Sequence, residues 1–263
     1  MAVECSAIIA RALARPQTYL LAWLFIVASA LVANLGSTPL YDADEGRNAE
    51  VGREMAATND YVMPRIDGMP YLDKPIVYFA AEAAAMEILG PTEFAARLPA
   101  VLFTLATAFV VWWFAKRVWG DEESALVAAI AFLSMPLVLA FARTVIFDSA
   151  LTFFMVVAIV AFYFAVERQA PSPVDPALPR QARTAVAPLI AWAAIGFGVI
   201  TKGPVAIAVP LLIAIPFAIK QKRFRSLFSW WGLVAFVAII APWVWAVSQV
   251  VPDFLHYVLV TET

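Results

Sequence analysis

The sequence predicts an all-α protein: a polytopic transmembrane helical bundle with about seven spans and a long outer first loop carrying two amphipathic interfacial helices. Three observations predict it. Hydrophobic residues make up 63% of the 263 and charged residues only 14%, against roughly 45–50% and about 25% in soluble domains, and the mean hydropathy is +0.82. Apolar stretches recur at the roughly 17–25 residues that a helix needs to cross a hydrocarbon core about 30 Å thick. The charges that remain are gathered between the first two of these stretches.

The predicted spans are residues 19–35, 98–115, 124–142, 149–166, 185–201, 203–219 and 227–250. Lys202 alone separates the fifth from the sixth, which requires a tight hairpin with its tip at Thr201-Lys202-Gly203-Pro204. The first stretch is longer than the apolar core of a signal peptide and six more follow, so it reads as a span.

Lysine and arginine in the short connections set the orientation. With a cytoplasmic N-terminus, Arg11, Arg15, Lys116, Arg117, Arg168, Arg180, Arg183, Lys220, Lys222, Arg223 and Arg225 fall inside, the majority of the eighteen basic residues. Arg47, Arg53, Arg65, Lys74, Arg97, Arg143 and Lys202 fall outside. The inner set is explained by topology; the outer set needs another reason. Residues 169–188, with five prolines, read as a cytoplasmic link, and the basic run 220–225 as a contact for anionic lipid.

A single cysteine, Cys5, and a single histidine, His256, exclude a disulfide framework and a Cys- or His-rich metal site. Both read as incidental. The tryptophans Trp112, Trp113, Trp230, Trp231, Trp243 and Trp245 read as interfacial anchors.

Residues 36–97 form an outer loop too polar to cross the membrane, with eleven acidic side chains. Residues 45–57 read as one helix: Asp42 stands three before Glu45, a capping-box spacing, and Asn59-Asp60 supplies turn chemistry at the end. Residues 76–89 read as a second, starting after Pro75 and stopping at Gly90-Pro91, with Ile76, Phe79, Ala80, Ala83, Ala84 and Glu87 on one face. Short amphipathic helices after a span lie in the interface plane.

Acids at a helix start can be explained by the free N–H groups and the dipole there. That reading covers part of Asp44-Glu45 but leaves Arg47, Asp73, Lys74, Arg143, Asp148 and Lys202. In the predicted topology all of these lie at the outer surface, and ionisable groups at span ends are costly unless they pair or serve a pathway. They are expected to form one polar site. A transporter would place such groups near the bilayer midplane, which argues against that reading; a non-catalytic homologue is the other alternative.

Five blocks in order then carry a resemblance: DEGRNAEVGREM (44–55), PRIDGMPYLDKP (64–75), ARLPA (96–100), ARTVIFDSALTFF (142–154) and TKGPVAIAVP (201–210). Together they resemble the N-terminal part of the C-type membrane glycosyltransferases, nearest the aminoarabinose lipid A transferase and protein O-mannosyltransferase group. The resemblance implies an inverting transfer of a sugar from a polyprenyl-phosphate carrier to a lipid, glycan or protein acceptor, on the periplasmic face of a bacterial inner membrane. It implies catalytic roles for Asp44, Glu45 and Arg47, and substrate-binding roles for Asp73, Lys74, Asp148 and Lys202; Arg143, beside Asp148 in the predicted topology, is expected to join the substrate-binding set. Ile76 and Asn48 depart from the family pattern, which usually has a second proline and a tyrosine there. Relatives of this kind continue with further spans, so the sequence is expected to be the N-terminal part of a longer enzyme. Within it, residues 1–263 form a single transmembrane domain and residues 36–97 bear the catalytic motif.

The chemistry asks for a carboxylate within reach of the acceptor hydroxyl and cations facing the departing phosphate. Asp44 fits the first role, with Glu45 as second base or as the residue that orients it. Lys74, Arg47 and Lys202 fit the second. If the acceptor is a phosphate, Asp44 instead positions the donor. No obligatory cofactor is expected; Asp44, Glu45, Asp73 and Asp148 have the oxygen chemistry for Mg²⁺ or Mn²⁺, yet the neighbouring cations neutralise the same phosphate. Membrane lipids are expected partners, and nucleic acid is not.

Overall fold

The computed structural model describes residues 16–41, 43–167, 180–252 and 254. Among the described residues ten α-helices follow one another: α1 (Pro16–Val32), α2 (Asp44–Thr58), α3 (Ile76–Leu89), α4 (Glu93–Trp119), α5 (Glu122–Leu133), α6 (Pro136–Ala142), α7 (Asp148–Glu167), α8 (Arg180–Lys202), α9 (Val205–Lys220) and α10 (Trp230–Val250). A 3-10 turn at Phe224–Leu227 precedes α10. One feature departs from an all-α chain: β1 (Arg65–Ile66) and β2 (Met69–Pro70) pair antiparallel across Asp67-Gly68, where both turn residues have positive φ.

The predicted apolar stretches are largely helical, and among the described residues fewer than seven of the helices have the length and hydropathy of a full crossing. Among the described residues, α4, α7 and the segment Phe224–Val250 are long and apolar enough to cross a bilayer. Helices α5 and α6 make a fourth only as a broken span, bent by 66°. The break has a local cause. Pro136 lacks the N–H that would continue α5, and it pushes Met135 to an extended conformation at ψ 128°. Helix α1, Val186–Lys202 of α8, and α9 are shorter, between 10 and 17 residues. The predicted proline-rich link is helical from Arg180; residues 168–179 lie outside the described residues, as do Cys5 and His256.

Helix boundaries follow their caps. Thr92 accepts from the Ala95 N–H at the start of α4, and Asp121 from the Ser124 N–H at the start of α5. Gly120 closes α4 in the left-handed conformation. Asn59 closes α2 in the same way at φ 54°. At the other end of α2 the predicted capping box changes. Asp42 lies outside the described residues, Ala43 is the N-cap without a side-chain cap bond, and Glu45 reaches back to accept from the Tyr41 N–H at 2.9 Å.

The loop between α1 and α4 is packed on the bundle. Ala49, Val51 and Met55 of α2, Tyr78, Phe79, Ala83 and Met86 of α3, the first turns of α4, and Val145 and Phe147 before α7 form one buried cluster. Phe147 meets Phe79 edge-on at 5.1 Å between ring centres. Burying each such ring contributes about 1.5–3 kcal/mol. The buried face of α3 differs from the predicted one: Tyr78, Glu82 and Met86 are inside, while Ala84 and Glu87 are outside, the latter accepting from the Tyr61 hydroxyl at 2.7 Å.

Candidate functional site

Helix α2 presents two different faces. Glu45, Asn48, Ala49, Val51, Gly52 and Met55 face the core, a helical spacing that leaves Asp44 and Arg47 on the open side. The Asp44 carboxylate is 85% exposed and is paired with the Arg47 guanidinium one turn on, the favourable i,i+3 arrangement. Asp44 thus stands at the free N-terminal turn of α2 as an accessible carboxylate with a cation beside it.

The acidic-Lys-Pro block lies next to this pair. The Tyr71 hydroxyl donates to Asp73 Oδ2 at 3.0 Å. Lys74 Nζ donates to the Asp73 carbonyl at 2.8 Å and lies 3.3 Å from Oδ1. Burial raises the Asp73 carboxyl, but the Tyr71 hydrogen bond and the charges of Lys74 and Arg47 outweigh it and hold the group below its ordinary value. Burial and the Asp73 bond push the Tyr71 phenol up to about 12. Because the charges of Arg47 and Asp44 also act on Tyr71, the Asp44–Arg47 and Tyr71–Asp73–Lys74 groups form one electrostatic patch.

Asp148 and Lys202 form a second centre. Lys202 Nζ donates to both Asp148 oxygens at 2.7 Å, which ties the start of α7 to the end of α8 and leaves each partner about a quarter to a third exposed. Gly203, at φ 98°, makes the turn into α9 that an L side chain would strain. Asp148 also lines a cavity of about 230 Å³ whose walls include Thr104, Thr107, Ser149 and Thr152.

Two predicted site residues are engaged elsewhere. Arg143 donates from Nη1 to the Ala30 and Leu31 carbonyls, so it closes the C-terminal end of α1, where carbonyls lack helical partners. Glu45 is 2% exposed and fully bonded. Arg97 reaches it with Nε–Oε1 at 3.0 Å and Nη2–Oε2 at 2.8 Å, and the Val145 N–H donates to Oε1 at 2.8 Å. Burial raises the Glu45 carboxyl, but the bonds from Arg97, Tyr41 and Val145 outweigh it and lower the group below its ordinary value. Glu45 therefore joins α2 to α4 and to the segment before α7 that holds Val145.

Arg97 is a residue that sequence reasoning left among the outer cations. Its guanidinium also donates to the Leu35, Thr38 and Pro39 carbonyls at 2.9 Å, gathering the entry to α2. Its place in ARLPA was the available signal. Trp243, an expected interfacial anchor, donates from Nε1 to the Val62 carbonyl at 3.0 Å and fastens α10 to the loop between α1 and α4. Among the described residues, no group of three or more His, Cys, Asp or Glu side chains is arranged to hold a metal ion.

A family model described as dolichyl-phosphate-mannose-protein mannosyltransferase matches residues 18–258. The chain is 32% identical over 226 residues to the undecaprenyl phosphate-alpha-4-amino-4-deoxy-L-arabinose arabinosyl transferase of Aeromonas salmonicida, covering 85% of this chain and 39% of that one. It is 32% identical over 240 residues to the enzyme of the same description from Yersinia enterocolitica, covering 90% and 41%. The crystal structure of ArnT from Cupriavidus metallidurans bound to undecaprenyl phosphate superposes with a TM-score of 0.81 at 26% identity, over 93% of this chain and 44% of that one. The chain thus spans about two fifths of the length of these relatives.

Proposed function

The chain belongs to the dolichyl-phosphate-mannose-protein mannosyltransferase family of C-type membrane glycosyltransferases, and from that premise we propose that it supplies the donor site of an inverting glycosyltransferase that uses an undecaprenyl-phosphate-linked sugar. The observation that carries this reading is the single patch made by Asp44, Arg47, Tyr71, Asp73 and Lys74 at the open face of the outer loop. Such a patch offers a carboxylate for the reacting sugar or its acceptor and cations for the phosphate. Similarity to the arabinosyl transferases, and to a structure holding undecaprenyl phosphate, supports a pentose donor of the aminoarabinose type and lipid A as the acceptor.

Arg47 and Lys74 neutralise the phosphate as the glycosidic bond breaks, in a site where protein and lipid exclude water and strengthen each contact. Asp44 removes the proton from a hydroxyl acceptor; toward a phosphate acceptor, which needs no strong base, it orients the donor. Glu45 acts through position: bonded by Arg97, it fixes the first turn of α2 and so aims Asp44. Asp148 and Lys202 border the donor's path at the ends of α7 and α8. The patch is read as periplasmic, with a cytoplasmic N-terminus and with α2 and α3 lying at the membrane surface of a bacterial inner membrane.

The test is transfer of labelled sugar from undecaprenyl phosphate in membranes carrying the complete native protein. Asp44→Asn is expected to lower the rate by about 10²–10⁴, and Lys74→Ala to lower it while weakening donor binding. Undiminished transfer by both variants would overturn the assignment.

A further inference from the structure

Glu82 lies on the buried face of α3 with no side chain to answer it. It is 0% exposed, as is Tyr78, and among the described residues neither carboxyl oxygen of Glu82 has a hydrogen-bond partner. Their spacing of four puts both polar ends on one helical face, one turn apart. That face is pressed on α2. A Cβ on Gly52 would stand 2.8 Å from Glu82 Cβ and 3.4 Å from its Oε2, so the carboxyl occupies the seam between the helix that bears Asp44 and the helix behind it.

The charged form does not suit this place. An isolated buried carboxylate is far more costly than a neutral polar group left without a partner. Arg97, the guanidinium that α4 buries in the same part of the fold, is committed to Glu45 and to three backbone carbonyls. Helix α8, which also packs on α3, ends at Lys202, which is held by Asp148. The ionisable group of α2 that acts on Glu82 is Glu45, a like charge. A hard cation fits no better, since it takes six or more oxygens and the seam offers the two of Glu82 and the phenol of Tyr78.

We propose that Glu82 is a neutral carboxylic acid sealed between α2 and α3, and that its proton keeps α2 seated: loss of that proton drives a bare charge against α2 and displaces Asp44 and Arg47. Glu82 is thus a proton-controlled positioning residue. Burial, with the charge of Glu45 added, raises its carboxyl well above the ordinary value, in agreement with the geometry. The catalytic consequence rests on the reading of Asp44 and Arg47 given above; the protonation state and its effect on the fold do not.

Two readouts on the complete native protein in membranes test it. Infrared spectroscopy of native protein and Glu82→Gln is expected to show the C=O stretch of a protonated acid at neutral pH, present in the native protein and lost in the variant. Raising the pH is expected to lower the thermal midpoint of the native protein and to reduce transfer, by about tenfold for each pH unit beyond the transition, as for loss of one proton. Glu82→Gln, of the same shape and always neutral, is expected to hold both steady over the same range. An infrared spectrum unchanged by Glu82→Gln, or the same alkaline fall in both proteins, overturns the proposal. If Glu82→Gln does not fold, pH titration of the C=O band in the native protein decides: its absence at neutral pH overturns the proposal. A failure of the donor-site reading alone would leave the infrared and thermal results intact.

Discussion

Glu45 and Arg97, 52 residues apart, form a two-point ion pair in which both side chains are only 2% exposed. The pair joins the first turn of α2 to the start of α4, and its other bonds draw in residues 35–41 and Val145. Removing one member leaves the other as a buried, unanswered charge. Arg97→Ala and Glu45→Gln are each expected to cost about 3–5 kcal/mol, measured as a fall in thermal stability, and to reduce transfer by displacing Asp44. The pair also sets an acid limit. A carboxyl lowered in the folded state contributes stability above its unfolded value, and that contribution is lost as the pH falls through the folded value. The native protein should therefore lose stability on acidification, and Glu45→Gln should show a shallower acid slope.

Gly52 is set by contact and not by backbone conformation. Helix α2 crosses α3 at this point with room for a hydrogen alone. Gly52→Ala would raise helix propensity, yet it is expected to destabilise the protein by about 1–3 kcal/mol through overpacking. Equilibrium unfolding of the two proteins checks this; a gain in stability would contradict the close approach of the helices.

The Asp148–Lys202 pair joins α7 to α8 with two bonds. A double-mutant cycle of Asp148→Asn and Lys202→Ala is expected to give a coupling of about 1–3 kcal/mol in stability. If the pair also borders the donor's path, both single variants should raise the KM for the polyprenyl donor more than they lower kcat.

Tyr71 holds Asp73 through one hydrogen bond. In Tyr71→Phe that bond is lost while burial remains, so the Asp73 carboxyl moves up from its lowered position. A bond worth about 1 kcal/mol corresponds to a shift of under about one pH unit. The acid limb of the pH-rate profile is expected to move toward higher pH by that amount, and an unmoved limb would remove Asp73 from the patch.

The membrane class, the apolar runs that became helices, the start and stop of α3 and the charged residues Asp44, Arg47, Asp73 and Lys74 were legible in the sequence, because each depends on local quantities. Hydropathy over about twenty residues, proline and glycine as punctuation, and ordered motifs do not require knowledge of distant contacts. What the tertiary structure alone decided is which charges face outward. Asp44 and Glu45 are adjacent and chemically alike, yet a helix turns about 100° per residue, so one stands in the open and the other is buried on Arg97, 52 residues away. Arg143 was separated from the patch by the open carbonyls at the end of α1, and the broken span at Ser134-Met135 was set by Pro136 acting within a longer apolar run. Glu82 carries no motif or spacing in the sequence that sets it apart. The packing of Gly52 against it made it a buried carboxyl with no partner among the described residues, a condition created by the meeting of two helices and by no pattern within either.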